Sequence, residues 1–409
     1  MKPLVRIQLS LMMFLEFFIW GGWFVTLGTF LGTNLEATGA QSAMAFSTQS
    51  WGAIIAPFVI GLIADKFFNA ERILGVLHLI GAFLMYKMAY AEDFGVFYPY
   101  VLGYMIAYMP TLALVNSVAF RQMKNPSKDF GFIRVFGTIG WILAGILISF
   151  LGWDSQEGLG EGLLMNTFLM TAVASAFLGI FSFFLPKTPP NKTEENASLM
   201  EKTGLSAITL LKNKNFLIFF VSSILICIPL AFYYQNANPF LTEIGMTNAT
   251  AKQALGQVSE VLFMLLLPVF LLRFGIKKTL LFGMIAWAIR YVLFAYGNAD
   301  ELSFMLLIGI ALHGVCYDFF FVSGQIYTDS KAGASNKSAA QGLITLATYG
   351  VGMLIGFWVA GQITDNYLVG DLHNWEKIWI YPAGFAVLVF VFFLIAFKNE
   401  KIEYKGEKV

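Results

Sequence analysis

The sequence predicts an all-α polytopic membrane protein with twelve transmembrane helices in two six-helix bundles, and three observations carry that prediction. Of 409 residues, 58% are hydrophobic and only 12% charged, against roughly a quarter charged in soluble chains. Twelve crossings of about 20 residues need about 240 apolar positions, and the composition supplies them. Finally, the basic residues fall on alternate connections, as a membrane-spanning chain requires. With 26 Lys and Arg against 25 Asp and Glu the net charge is +1; no basic excess asks for a nucleic acid.

Polar interruptions place the helices near 6–32, 43–66, 72–91, 96–121, 131–153, 162–185, 215–241, 252–273, 278–297, 301–328, 338–364 and 377–398. The first is too long for a signal-peptide core and lacks a small-residue cleavage pattern, so it reads as an uncleaved span. Pro57, Pro110, Pro229, Pro239 and Pro268 fall inside spans and free backbone groups there. Glycines at 137, 140 and 145, and at 350, 352, 356 and 361, allow helices to approach closely. His78 and His373 read as membrane-interface residues, and Cys227 and Cys316, both in apolar runs, as small core residues.

Between the sixth and seventh helices the stretch 186–214 carries Pro186, Pro189, Pro190 and five lysines. It reads as a linker, giving an N-terminal bundle over 1–185, a C-terminal bundle over 215–398 and a tail over 399–409. With both termini cytoplasmic, 21 of the 26 Lys and Arg lie on that side, whereas the outer loops hold acids such as Glu92, Asp93, Asp154, Asp300 and Asp371. The opposite orientation would violate the rule that basic residues stay inside.

Two tight basic turns echo each other: Gly61 to Lys66 with Arg72 after the second helix, and Leu272 to Lys278 after the eighth. The first resembles the loop signature of the major facilitator superfamily, and the second its copy. Further stretches, Met109 to Asn116, Ile133 to Gly140, Gln257 to Glu260, Trp287 to Gly297 and Asp318 to Phe320, resemble in order the proton-linked nucleoside permeases of bacteria. The resemblance covers essentially the whole chain. It implies a major facilitator fold, a bacterial inner-membrane location, and nucleosides and protons as the transported partners. Nothing demands more than a monomer.

Charged groups at membrane depth cost roughly 2.5–3.5 kcal/mol each on insertion scales and need a partner, a water cavity or a function. Glu16, Arg134, Glu260, Arg290 and Asp318 stand well inside predicted spans, with His313 nearby. Arg134, Thr138 and Trp141, spaced i, i+4, i+7, set a cation, a hydroxyl and a flat ring on one stripe suited to a polar aromatic solute. Alternatively, Arg134 snorkels to the helix end. Gln257 and Glu260, at i, i+3, offer an amide and a carboxylate to sugar hydroxyls, or form a polar contact with Arg290. The resemblance implies that both belong to the nucleoside site.

Asp318 is the expected proton carrier, with Glu260 or His313 as sharers, and an Asp318–Arg290 ion pair as the structural alternative. Gly314, Asp318 and Gln325 fall on one side of an ideal α-helical wheel. On helix 7, Tyr234 joins the binding set, standing where the permeases have an asparagine, while Tyr317 joins it from helix 10. His313 replaces a family tyrosine. Glu16, Trp20 and Trp23 repeat the i, i+4, i+7 pattern and are candidates to complete the pocket.

No phosphate-cradling loop and no His/Cys metal spacing occurs in the sequence, so no cofactor, no metal and no enzymatic chemistry is expected. The implied function is proton-coupled nucleoside import by alternating access, the solute bound between the bundles. A proton-linked symporter of a sugar or other glycosylated solute, and a non-transporting membrane sensor, stay open as alternatives.

Overall fold

A computed structural model of the chain describes residues 2–59, 68–123, 126–189, 205–332, 337–404 and 407–408. The Gly61–Lys66 turn and residues 190–204 of the expected linker lie outside them.

The helices follow from apolar runs closed by side-chain caps. Asp93 accepts from the Val96 amide, Asn213 from Phe216 and Asn374 from Lys377, each meeting one backbone donor that a helix start leaves open. Along the chain lie α1 (Pro3–Gly21), α2 (Gly39–Val59), α3 (Ala70–Ala89), α4 (Phe94–Arg121), α5 (Pro126–Phe150) and α6 (Met165–Ser182). Next comes α7 (Lys214–Glu243), then the double helix Leu255–Tyr296, whose arms 255–274 and 276–296 are α8 and α9. The chain ends with α10 (Ser303–Ala332), α11 (Ala339–Asn366) and α12 (Trp375–Ala396).

A single helix over Leu255–Tyr296 would be about 63 Å long at 1.5 Å per residue, twice the hydrocarbon thickness of about 30 Å. Gly275 breaks it, with φ 74° and ψ 173°, a conformation open chiefly to glycine. The rings of Phe270 and Phe282 consequently meet at 5.8 Å, so the chain turns back on itself there.

Three expected spans differ in detail. The first stops at Gly21, turns through 22–26 and resumes as a short helix over Leu27–Leu35; the adjacent Gly21 and Gly22 are the weak point. Helix α10 widens to π geometry over Tyr317–Val322, and α11 does so over Leu346–Gly352. The first widened stretch carries three successive rings. Phe319 packs on Phe263 and Phe270 of α8, Phe320 on Trp287 of α9, and Phe321 on Tyr349 of α11.

The chain divides into two compact units: Met1–Leu199 with Thr247–Ala254, and Met200–Met246 with Leu255–Val409. The first includes an outlying piece, the short helix Ala249–Gln253. Asp154 accepts from the Thr250 amide at 3.0 Å and Ser149 from the Ala251 amide at 3.0 Å, while Ser149 donates to Asp154 at 2.7 Å.

Within the first unit α1 lies against α5 at backbone distance, because a Cβ on Gly140 would come within 2.2 Å of the Phe14 carbonyl oxygen. In the second unit a Cβ on Gly314 of α10 would meet the Ser259 carbonyl carbon of α8 at 2.5 Å. Outward-facing apolar side chains such as Phe150, Leu265 and Ile395 are largely exposed, as lipid-facing residues must be. A two-residue hairpin pairs Leu368–Val369 with Leu372–His373 ahead of α12.

Candidate functional site

Polar side chains gather inside each unit. In the first, the predicted stripe on α5 is present: Arg134, Thr138 and Trp141 are half-buried, whereas Ile139, Leu143 and Ile146 are exposed. The Arg134 guanidinium lies 4.0 Å from the centre of the Phe17 ring on α1, a cation–π contact. Trp141 meets Trp20 edge-on at 5.6 Å, and Trp20 meets Tyr108 at 5.8 Å. An aromatic wall thus continues the stripe from α5 through α1 to α4.

Glu16 and Trp23 do not open onto that wall. Both are fully buried, and Glu16 is closed in by α3 and α4. His78 of α3 is 2.8 Å away, Thr111 of α4 is 2.6 Å away, and the Tyr108 hydroxyl donates to the Glu16 carbonyl at 2.8 Å. His78, expected at a membrane interface, is 2% exposed and also bonds Ser175 of α6 at 3.1 Å. A buried carboxylate needs a partner, and the sequence did not show which helix would bring it. His373 likewise pairs with Glu243 at 2.7 Å.

The second unit gathers the remaining candidates. The close passage at Gly314 sets α8 beside α10, and a Cβ on Gly256 would meet the His313 side chain at 3.1 Å. Gln257 and Glu260, half-buried on α8, therefore adjoin His313, Tyr317 and Asp318 on α10. Rings form a column: Tyr233 stacks on His313 at 5.7 Å, His313 on Tyr317 at 5.9 Å, and Tyr317 on Phe321 at 5.3 Å. Tyr349 of α11 shares a hydrogen bond with Tyr317, and Tyr234 of α7 and Glu260 bear electrostatically on one another.

Arg290 of α9 has no exposed surface. Its guanidinium carbon sits 3.4 Å from the centre of the Tyr233 ring, and Nη1 lies 3.3 Å from His313 Nδ1. Among the described residues, Nε and Nη2 have no hydrogen-bond partner, nor does either carboxylate oxygen of Asp318. The Asp318–Arg290 ion pair considered from the sequence is therefore not formed; the charged group acting on Asp318 is Glu260. Asp318 stands in the π-helical segment and is fully buried, while Gln325 is exposed. The ideal-wheel alignment of Gly314, Asp318 and Gln325 fails because the wheel assumes 3.6 residues per turn.

Sequence reasoning assigned no role to Tyr233 or Tyr349. Tyr233 directly precedes the predicted Tyr234 on α7, whereas Tyr349, inside an apolar stretch, gave no signal. Among the described residues no group of three His, Cys, Asp or Glu side chains has the arrangement of a metal site.

Among the described residues, ten helical stretches long and apolar enough to cross a membrane, divided between two units and carrying a few buried ionisable groups, define a secondary transporter of the major facilitator fold rather than an enzyme. The chain matches the nucleoside H+ symporter family over residues 3–402 and belongs to it. It is 44% identical to YegT of Escherichia coli K12, over 98% of this chain and 96% of that protein. Xanthosine permease of the same organism is 34% identical over 98% of this chain and 99% of its own. The crystal structure of the nucleoside transporter NupG superposes with a TM-score of 0.87 at 30% identity, covering 97% of this chain and all of that one.

Proposed function

We propose that this chain imports nucleosides together with protons by alternating access, as a monomer in the bacterial inner membrane with both termini cytoplasmic. The distribution of Lys and Arg supports the orientation, and the 186–214 stretch is read as the linker between bundles. Arg134, Thr138 and Trp141 supply a forked donor, a hydroxyl and a stacking face for the base. Tyr234, Gln257, Glu260 and Tyr317 supply hydroxyl, amide and carboxylate groups suited to a ribose.

The observation that carries the coupling is Asp318, buried with no hydrogen-bond partner among the described residues and with Glu260 as its charged neighbour. An unpaired carboxylate in such a setting is tolerated as the neutral acid and expensive as an ion. It can pick up a proton in one state and yield it where water or a cation reaches it. Solute and proton are then coupled if both favour the same state.

The test is uptake of labelled uridine and adenosine into proteoliposomes with and without an inward acid gradient. Gradient-driven accumulation supports the reading. Absence of nucleoside uptake and of nucleoside competition under every gradient rejects it.

A further inference from the structure

Arg290 and His313 form a pair whose proton arrangement is fixed by elementary donor counting. A guanidinium has five N–H donors and no acceptor, so across the 3.3 Å contact from Nη1 to His313 Nδ1 the arginine donates and the imidazole nitrogen accepts. Nδ1 therefore carries no proton, and the ring hydrogen sits on Nε2. Both side chains are buried, at 0% and 4% exposure, so water does not readily replace either partner.

The ring is also fixed in orientation. Tyr233 and Tyr317 stack on it at 25° and 28°, and α8 presses on its Cβ at Gly256. The ionisable groups packed against it are Tyr233 from α7, Arg290 from α9 and Tyr317 from α10, while α8 meets it with Gly256. Of these, the permanently charged group in hydrogen-bond contact is Arg290, and a second proton on His313 would point an N–H at it.

We propose that Arg290 locks His313 as the neutral Nε2–H tautomer, making His313 a fixed hydrogen-bond donor to an oxygen of the nucleoside and removing it from proton carriage. Arg290 is the positioning residue, acting through His313. The donor role rests on the nucleoside-transport reading; the tautomer does not.

Two experiments separate them. The chain has three histidines, so 15N spectra of histidine-labelled protein in nanodiscs, with His313→Gln to assign the missing signal, read the tautomer without any substrate. One bare Nδ1 and a protonated Nε2 from pH 5.5 to 8 are expected; an imidazolium or an Nδ1–H form overturns the proposal.

For the donor role, nucleoside exchange is measured at equal pH on both sides. His313→Asn keeps an acceptor near Arg290 and withdraws the Nε2 donor, so KM rises about three- to tenfold, the factor for one neutral hydrogen bond, while maximal exchange is kept. Arg290→Gln sets against Nδ1 an amide that can accept as well as donate, so an Nδ1–H form appears in the spectra and the exchange KM rises as the Nε2 donor is lost, with no further rise when His313→Asn is added. Unchanged KM in His313→Asn overturns the donor assignment, and a wild-type spectrum and KM in Arg290→Gln overturns the lock. Failure of wild-type uptake would instead remove the transport reading and leave the spectra to decide the tautomer.

Discussion

His78 Nε2 and Glu16 Oε2, 62 residues apart in sequence, meet at 2.8 Å in the core of the first unit, and they share a single proton. Ser175 donates its one hydroxyl hydrogen to the His78 carbonyl at 2.8 Å, so its 3.1 Å contact with Nδ1 is donated by the ring. Nε2 and Oε2 then hold one hydrogen between them, as imidazolium and carboxylate or as two neutral groups. Either way α1, α3 and α6 are tied through one bonded chain.

Removing one partner leaves the other buried and unsatisfied. Glu16→Ala is expected to lower stability by about 3–5 kcal/mol, whereas Glu16→Gln, which can still donate to Nε2, is expected to cost about 1 kcal/mol. Unfolding in mixed detergent micelles measures both, and equal losses would contradict the shared-proton arrangement.

Asp318→Asn keeps the volume and removes the exchangeable proton. Stimulation of uptake by an inward acid gradient should vanish, while nucleoside exchange at equal pH persists. Retained stimulation would move proton carriage elsewhere, with Glu260 first in line.

On α5, Arg134→Lys replaces a planar fork by a point charge, and on α8, Glu260→Gln removes a charged acceptor. Each should raise KM by about 10- to 100-fold, the range for a hydrogen bond to a charged group. An unchanged KM in both variants would show that the solute lies elsewhere.

Helix α5 offers an internal comparison. Gly140→Ala forces a methyl to within 2.2 Å of the Phe14 carbonyl oxygen, while Gly131→Ala meets nothing within 4 Å. The first should destabilise by about 1–3 kcal/mol; the second should stabilise by about 0.5–1 kcal/mol through helix propensity. Reversed signs would mean that α1 and α5 do not lie against each other at this point.

Glu400, beyond α12, bonds Lys331 Nζ at 2.8 Å and accepts from the Tyr327 hydroxyl. Burial alone would raise its carboxyl, but these bonds and the Lys331 charge outweigh that and hold it below the ordinary carboxylate range. A depressed acid stabilises the folded form above its unfolded value of about 4.3 and loses that contribution as pH falls through the folded value. Protease cleavage after residue 398 should therefore increase on acidification in the wild type. Glu400→Gln should be cleaved readily at neutral pH, with the acid dependence gone.

The repeat of apolar runs and the placement of basic residues made the helical order legible, because both report on lipid solvation, which acts on each segment separately. Gln257 with Glu260, and Arg134 with Thr138 and Trp141, were legible because their spacing matches an α-helix. What stayed hidden depends on other helices. Glu16 looked like a pocket residue until His78 and Thr111 closed around it, and Arg290 looked like a partner for Asp318 until it was found with Tyr233 and His313. The widened turn at Tyr317–Val322 escaped because a helical wheel assumes 3.6 residues per turn throughout.

That widened turn makes α10 sensitive to counting. Asp318 stands in it, and Lys331, at the far end of the same helix, holds Glu400. Deleting one residue between them would swing everything downstream by about 100° and draw it back by about 1.5 Å. Lys331 would leave Glu400 unless the turn itself tightened, and Asp318 would move if it did. Single-residue insertions and deletions along 318–331 should therefore be selected against far more strongly than substitutions at the same sites, giving this stretch a fixed length even where its side chains vary.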